Sequence, residues 1–317
     1  LKPTCQQLVG LLTESVNRNR TDALLLSGGL DSTILASILR PQYSVTAALG
    51  SDAPDIPYAR QVAQKYSKTH AEVVFDEASM IDLVDTVVQV FKTFDPIEIR
   101  NSCVALAGLQ RAKNDGHNKV MTGDGGDELF AGYNFLSRYH GDIQRLDQEL
   151  RRLWKIMHFS SQKLAAHLAM EVKTPFLDEQ FAAFAKSIDA SEKIAEYNGQ
   201  IWGKFVLRRC FEPELGPLVW RKKMAQEQGA GTDRFEKYID KMIDDSTFAN
   251  KKKIALSEGV RLRSKEHLNY YAIFRSYFPP PKEESKNCEL HCLDCMSCVD
   301  SDTRFCRTCG SFPVKSF

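Results

Sequence analysis

Along the first part of the chain, short apolar runs alternate with longer segments whose apolar residues recur every three or four positions. Residues 4–17 (TCQQLVGLLTESVN) place their apolar groups on one helical face. Ala23-Leu24-Leu25-Leu26 is a short apolar run ending in Ser27-Gly28-Gly29, which predicts a buried strand meeting a tight turn. A helix is expected from Ser32 to Leu39, a strand from Val45 to Leu49, a helix from Pro57 to Tyr66 and a third strand from Ala71 to Phe75. Helices are expected at 77–91 and 103–115. The second is stopped by Asn114-Asp115-Gly116, where glycine suits the left-handed residue that closes a helix. Lys119 to Thr122 reads as a fourth strand, again running into a glycine turn.

Strands alternating with helices of this length predict parallel βαβ units, hence an α/β fold with a parallel sheet flanked by helices. Ligands of such sheets bind at the carboxyl ends of the strands, where both glycine turns fall. From about 134 to 275 the pattern becomes mostly helical and more charged. Pro279-Pro280-Pro281-Lys282-Glu283-Glu284-Ser285-Lys286 reads as a polar, proline-rich linker. The expected organisation is a body of 1–278, a linker of 279–287 and a small Cys-rich, metal-binding tail of 288–317.

The length of 317 residues suits about two domains. Lys plus Arg is 42 against 41 Asp plus Glu, which argues against a chain that binds nucleic acid mainly through its overall charge. Local basic stretches at Arg151-Arg152, Lys251-Lys252-Lys253 and Arg261, Arg263 and Lys265 are expected to be solvated helix faces. No apolar run reaches the roughly 20 residues of a membrane span, and no charged-then-apolar leader opens the chain. A cytoplasmic location without a membrane partner is expected. The chain opens on Leu1 rather than Met, so an upstream extension is expected as well.

Two turns carry candidate chemistry. In Leu26-Ser27-Gly28-Gly29-Leu30-Asp31-Ser32-Thr33 the glycines let backbone N–H groups approach an anion, and the following helix start adds partial positive charge. The hydroxyls of Ser27, Ser32 and Thr33 can donate to phosphate oxygens. Asp31 would repel a bare phosphate and makes sense as a ligand of Mg²⁺ bridging phosphates. The plain alternative is an ordinary turn capped by Asp31 or Ser32. The loop is not a Walker A loop, because no Gly-Lys-Ser/Thr follows. In Thr122-Gly123-Asp124-Gly125-Gly126-Asp127-Glu128 three carboxylates crowd a strand end and call for a metal, a cation or a shared proton. Its plain alternative is an acidic surface turn.

The first turn resembles the PP-loop of ATP pyrophosphatases, and the two together resemble the synthetase domain of glutamine-dependent asparagine synthetases. Further segments match in family order: Asp95-Pro96-Ile97-Glu98-Ile99-Arg100, Glu171-Val172-Lys173-Thr174-Pro175-Phe176-Leu177-Asp178, Gly203-Lys204-Phe205, Trp220-Arg221-Lys222-Lys223 and Tyr270-Tyr271. The resemblance covers roughly residues 5–278 and implies a PP-loop, adenine nucleotide α-hydrolase-like fold. It implies ATP and Mg²⁺ as cofactors, with Asp31 and Asp127 as the Mg²⁺ ligands. Ser27, Gly28, Gly29, Asp31 and Ser32 match the pyrophosphate loop, and Leu26, Ala48, Thr122 and Gly123 match positions lining AMP. Asp124 matches an acidic residue facing the substrate, and Lys204 the lysine that stabilises the transferring phosphate and acyl-adenylate. Arg100, Lys223 and Glu171 match polar residues of the same cleft. Asp31 and Lys204 are expected in a solvent-reachable cleft, where truncation costs little stability. A solvated helix lysine is the plain alternative for Lys204.

Departures matter. Lys173 stands where the family has Arg, and Gly203 where an acidic residue precedes the lysine. The nucleophilic glutaminase domain has no counterpart in this sequence, and Cys5 does not match its cysteine. Either that domain lies upstream or in a partner, or the chain takes free ammonia or another nitrogen donor. The implied activity is ATP-dependent amidation of a small carboxylate, aspartate by default, with AMP and diphosphate formed. A homodimer is compatible with it.

Six of the nine cysteines crowd into the tail: Cys288, Cys292, Cys295, Cys298, Cys306 and Cys309. A disulfide scaffold is not expected of so large a chain whose body is nearly free of cysteine. Cys295/Cys298 and Cys306/Cys309 form two CxxC pairs, a set suited to tetrahedral Zn²⁺. Cys288, His291 and Cys292 remain as alternative ligands. An iron–sulfur cluster on Cys292, Cys295 and Cys298, or a tail held by disulfides alone, stays open. The tail is expected to be peripheral to the chemistry and to serve assembly, a protein partner or RNA. The competing functions are a tRNA-modifying enzyme of the PP-loop class whose tail grips RNA, and a silent nucleotide-binding module.

Overall fold

The computed structural model describes residues 3–285, 288–300 and 303–314. Elements follow the alternation read from the pattern. They begin α1 (Pro3–Arg18), β1 (Ala23–Leu25), α2 (Leu30–Leu39), β2 (Tyr43–Leu49), α3 (Asp55–Tyr66) and β3 (Thr69–Phe75). Next come α4 (Glu77–Phe91), α5 (Pro96–Asn114), β4 (Lys119–Met121) and the short α6 (Gly126–Leu129). Helix α5 starts seven residues before the sequence expectation, at Pro96, because Asp95 accepts from the Ile97 N–H at 3.1 Å and caps its first turn. It ends as expected, with Gly116 at φ +91°.

The chain continues through α7 (Ile143–Ile156), α8 (Ser160–His167), β5 (Glu171–Lys173), α9 (Glu179–Ser187) and α10 (Ala190–Lys193). A hairpin of β6 (Ile194–Tyr197) and β7 (Gln200–Gly203) leads into α11 (Phe205–Leu215). Neither β5 nor the hairpin was expected in a stretch read as mostly helical. The strands there span only three or four residues, too short for alternation to register.

The five-stranded sheet has the order β3-β2-β1-β4-β5. β1 pairs in parallel with β2 and β4, and β4 in parallel with β5. The order reverses between β1 and β4, so the turns leaving these two strands share the crevice where doubly wound sheets bind ligands. The core beneath it gathers Leu8 and Leu12 of α1, Leu24 and Met121 of the sheet, Ile34 of α2, and Leu207 and Phe211 of α11. A disulfide joins Cys5 of α1 to Cys210 of α11 across 205 residues, Cα to Cα 5.0 Å, a cross-link the sequence reading did not foresee.

Contacts divide the chain into two compact units. One runs from the amino terminus to Ala47 and through Pro54–Val73 and Gly108–Ala225. The other takes in Ala48–Ala53, Val74–Ala107 and the described residues from Gln226 onward. The cysteine tail therefore belongs to a unit with part of the body. It is anchored there: Phe94 N–H donates to the Thr308 carbonyl at 2.8 Å, and the Thr93 hydroxyl to the Arg307 carbonyl at 2.7 Å. Arg261 N–H donates to the Asp294 carbonyl at 2.7 Å, and the Arg263 guanidinium to the Cys309 carbonyl.

The proline-rich stretch expected to isolate the tail is structured as far as it is described. Residues Pro281–Glu284 form a helical turn, Pro281 and Ser285 are buried, and Lys282 donates to the Ser257 carbonyl at 3.0 Å. Lys286 and Asn287 of that stretch lie outside the described residues. No helix of the described residues is long and apolar enough to cross a membrane.

Candidate functional site

The turn after β1 is shaped by a local demand. Gly28 has φ +70°, and a Cβ there would lie 2.6 Å from the backbone nitrogen of Ala59, so no other residue fits. Ser27 and Ser32 hydroxyls meet at 3.1 Å, and the Gly29 N–H donates to Ser27 Oγ at 3.2 Å. Leu26, buried, leads into the loop and donates its N–H to the Val45 carbonyl at 2.8 Å. The turn after β4 lies against it. A Cβ on Gly123 would stand 3.0 Å from Asp31 Cβ and 3.3 Å from the Ser32 nitrogen. Gly126 leaves room for the Asp31 carboxylate itself.

Lys204 closes the site. It precedes α11 in the left-handed region at φ 55°, with its N–H bonded to the Phe130 carbonyl at 2.8 Å. Its ammonium meets Asp31 Oδ2 and, at 2.7 Å, Asp127 Oδ1. Lys223 adds a second cation, 3.0 Å from Asp127 Oδ2. Gly203 is required just before it, because a Cβ would run into the Ala131 carbonyl. The acidic residue that resemblance leads one to expect at this position has no room here. Buried Arg208 ties the segments together, donating to the carbonyls of Gly203 at 2.9 Å and Arg221 at 3.1 Å. That role was not read from the sequence, where Arg208 was one more residue of a helix.

Lys204 is 3% exposed, so the expectation of a solvent-reachable lysine is corrected: the ammonium is packed between two carboxylates. Burial opposes its charge, but Asp127 and Asp31 outweigh it and raise its pKa. Burial raises Asp31, with the neighbouring Asp127 adding to the effect against Lys204. Burial also opposes ionisation of Asp127, yet Lys204 and Lys223 overcome it and hold that carboxyl well below the usual range.

The set fits a divalent cation. Oδ1 of Asp31 is buried and accepts no hydrogen bond, and a second carboxylate shares the same lysine. Buried carboxylate oxygens are costly unless paired, and Mg²⁺ with phosphate oxygens would satisfy them.

Other expected residues divide. Thr122 is buried and donates to Asp124 at 3.0 Å. Ala48 lies near the carboxyl end of β2. Arg100 is carried by the second unit, where it pairs with Glu266 at 3.2 Å. Glu171 starts β5 and is bonded to Lys119 and Lys173 on the sheet, so it stands at the amino end of its strand rather than at the carboxyl edge.

In the tail the four sulfurs that converge are Cys292, Cys295, Cys306 and Cys309, all buried and mutually within 4.8 Å. This corrects the expected set, in which Cys298 stood in place of Cys292. The two knuckles are built alike. The Met296 N–H donates to the Cys292 carbonyl at 2.7 Å, and the Gly310 N–H to the Cys306 carbonyl at 2.8 Å. Met296 at φ 62° and Gly310 at φ 73° both take the left-handed turn after the second cysteine. Glycine advertises that turn at 310, and methionine conceals it at 296. Cys298 is exposed and bonded to Cys288, Cα to Cα 5.6 Å. His291 directs Nε2 to the Ser285 carbonyl at 2.8 Å and lies outside the set. Sγ separations of 3.8 Å (Cys292 to Cys309) and 3.6 Å (Cys295 to Cys306) suit a tetrahedron whose metal–sulfur bonds are about 2.3 Å.

The sequence profile of asparagine synthase matches residues 7–156 and 144–290. The chain belongs to the asparagine synthase family. Among curated relatives it is 28% identical over 297 residues to the glutamine-hydrolyzing asparagine synthetase of Brassica oleracea, covering 83% of this chain and 49% of that protein. It is 29% identical over 286 residues to the corresponding enzyme of Pongo abelii, covering 82% and 50%. A probable asparagine synthetase of Dictyostelium discoideum is 28% identical over 289 residues, covering 81% and 51%. The chain thus spans about half the length of the curated relatives it matches. Within this asparagine synthase-type domain, Asp31, Asp127, Lys204 and Lys223 converge in one ion cluster at the reversal of strand order.

Proposed function

We propose that the chain uses ATP to activate a carboxylate and then forms an amide, with aspartate as the default substrate. The observation that carries this reading is the meeting of Asp31 and Asp127 on Lys204 beside the glycine loop. In the first step a carboxylate oxygen attacks the α-phosphorus, the bond to the β-phosphate oxygen breaks, and diphosphate leaves. Mg²⁺ held by Asp31 and Asp127 would neutralise the departing phosphates. The loop from Ser27 to Ser32 would grip them through backbone N–H groups and hydroxyls. Lys204 would meet the charge growing on the phosphoryl oxygens, in a buried setting where such contacts count most. In the second step a nitrogen nucleophile attacks the acyl carbon, AMP leaves with the bonding electrons, and the nitrogen sheds a proton. Lys223 is a candidate for the diphosphate.

We assign the Cys292, Cys295, Cys306 and Cys309 cluster to zinc, which four buried thiolates without a redox task suit best. Iron with acid-labile sulfide in anaerobically purified protein would overturn that assignment.

Diphosphate release is the test of the function. The protein is incubated with MgATP and, in turn, aspartate with ammonium, other small carboxylates, and bulk tRNA. Carboxylate-dependent release with amide formation is expected. Release with tRNA alone would favour the RNA-modifying reading, in which the tail serves as an RNA grip. Binding of ATP without any release would favour the silent module.

A further inference from the structure

Asp124 differs from its neighbours in the second turn. Asp127 is paired with lysines, whereas the carboxylate of Asp124 is held by two hydroxyls. Thr122 Oγ1 donates to its Oδ2 at 3.0 Å, and Ser161 Oγ donates to the same oxygen. Oδ1 accepts no hydrogen bond among the described residues. Thr122 precedes Asp124 by two residues, but Ser161 comes from α8, 37 positions further on. Ser161 is itself buried, and its hydroxyl is not used to cap its helix, whose capping residue Phe159 offers no side-chain bond. The hydroxyl is spent on Asp124.

We propose that Ser161 is a positioning residue: by holding Oδ2 it orients Asp124 so that Oδ1 accepts the proton shed by the nitrogen nucleophile. The inference rests on the amide-ligase reading above. The N–C bond forms, the acyl C–O bond breaks with its electrons going to AMP, and the N–H proton passes to Oδ1 and then to solvent. Gly123 against Asp31 and Ser32 keeps Asp124 beside the phosphate loop. Burial raises the Asp124 carboxyl and Asp31 adds to this, while the bonds from Ser161 and Thr122 lower it. Asp124 in turn adds to the upward shift of Tyr133, whose largest cause is burial. The hydroxyls therefore oppose the upward shift that burial imposes and favour the carboxylate form that can take a proton. Removing one raises its pKa.

The test uses the full chain with Ser161→Ala and Ser161→Thr, aspartate and ammonium chloride as probes, and two assays. ATP–diphosphate exchange without ammonium reads the first step, and amide formation reads both. Ser161→Ala is expected to keep exchange within about 2-fold while amide formation falls about 10- to 100-fold at pH 7. Its acid limb should move to higher pH, and Ser161→Thr should restore most of the rate. Equal losses in both assays with an unmoved limb, or no loss at all, would overturn the proposal. A wild-type chain silent in exchange would instead remove the ligase reading. Carboxyl-carbon NMR titration of Asp124 then still decides: an upward move in Ser161→Ala supports the positioning, and an unmoved curve rejects it.

Discussion

The ammonium of Lys204 donates to the carboxylate of Asp31 across 173 residues of sequence, in a pocket where Asp127 shares the same cation. The relationship couples chemistry to stability, because the groups that would bind metal and phosphate are also a buried ion cluster.

Lys204→Ala should therefore do more than stop diphosphate release. It leaves Asp31 facing Asp127, with Lys223 still on Asp127, and removing one partner of a buried pair typically costs about 3–5 kcal/mol. Urea denaturation in metal-free buffer at pH 7 should show a loss of that order. Adding Asp31→Asn to the same chain should recover part of it. A Lys204→Ala protein as stable as wild type would mean that the ion cluster contributes nothing net.

Glu128, buried beside Tyr133, has a pKa raised to about 7 by burial from an ordinary 4.5. Because the folded value is the higher, its contribution to stability is full below pH 4.5 and is lost as pH rises through about 7. Glu128→Gln can still accept from the Tyr133 hydroxyl and removes this dependence. Its stability relative to wild type should rise between pH 5 and pH 8 by up to about 3 kcal/mol, read from urea midpoints at the two values. A difference independent of pH would reject the assignment.

The ligand set in the tail is tested by two serine variants. Cys292→Ser should lose the metal and lower the melting temperature, whereas Cys298→Ser should keep one metal per chain. Elemental analysis under reducing conditions separates them. Equal metal loss in both would return Cys298 to the set.

Thr93 ties the body to the tail through the carbonyls of Arg307 and Thr308, at 2.7 and 3.1 Å. Thr93→Val removes this donor, a loss of about 0.5–1.5 kcal/mol for one hydrogen-bonding group. Chelation of the metal should destabilise the wild type by more than it does Thr93→Val, because the variant has already lost part of the anchor. A tail that is only an appendage would show no such coupling in a double comparison of melting curves.

Much of the fold and of the candidate site was legible because its signals are local. Apolar periodicity marks β1 to β4 and the helices between them, Gly28 marks a turn whose backbone admits no side chain, and Gly123 marks one where a side chain would be tight. Asp31 and Asp127 could be picked out because each sits in a glycine turn at a strand end, whereas Lys204 was picked out by the resemblance of its short motif to the family's. What the tertiary structure alone decided are approaches between distant segments: Ser161 to Asp124, Cys5 to Cys210, and the tail to Thr93 and Phe94. The choice of Cys292 over Cys298 belongs with them. Spacing permits either, and the left-handed backbone at Met296, with Cys288 bonded to Cys298, selects one. A sequence states which local conformations are cheap, but which buried groups meet depends on how the elements pack, and that is settled only when all of them are in place.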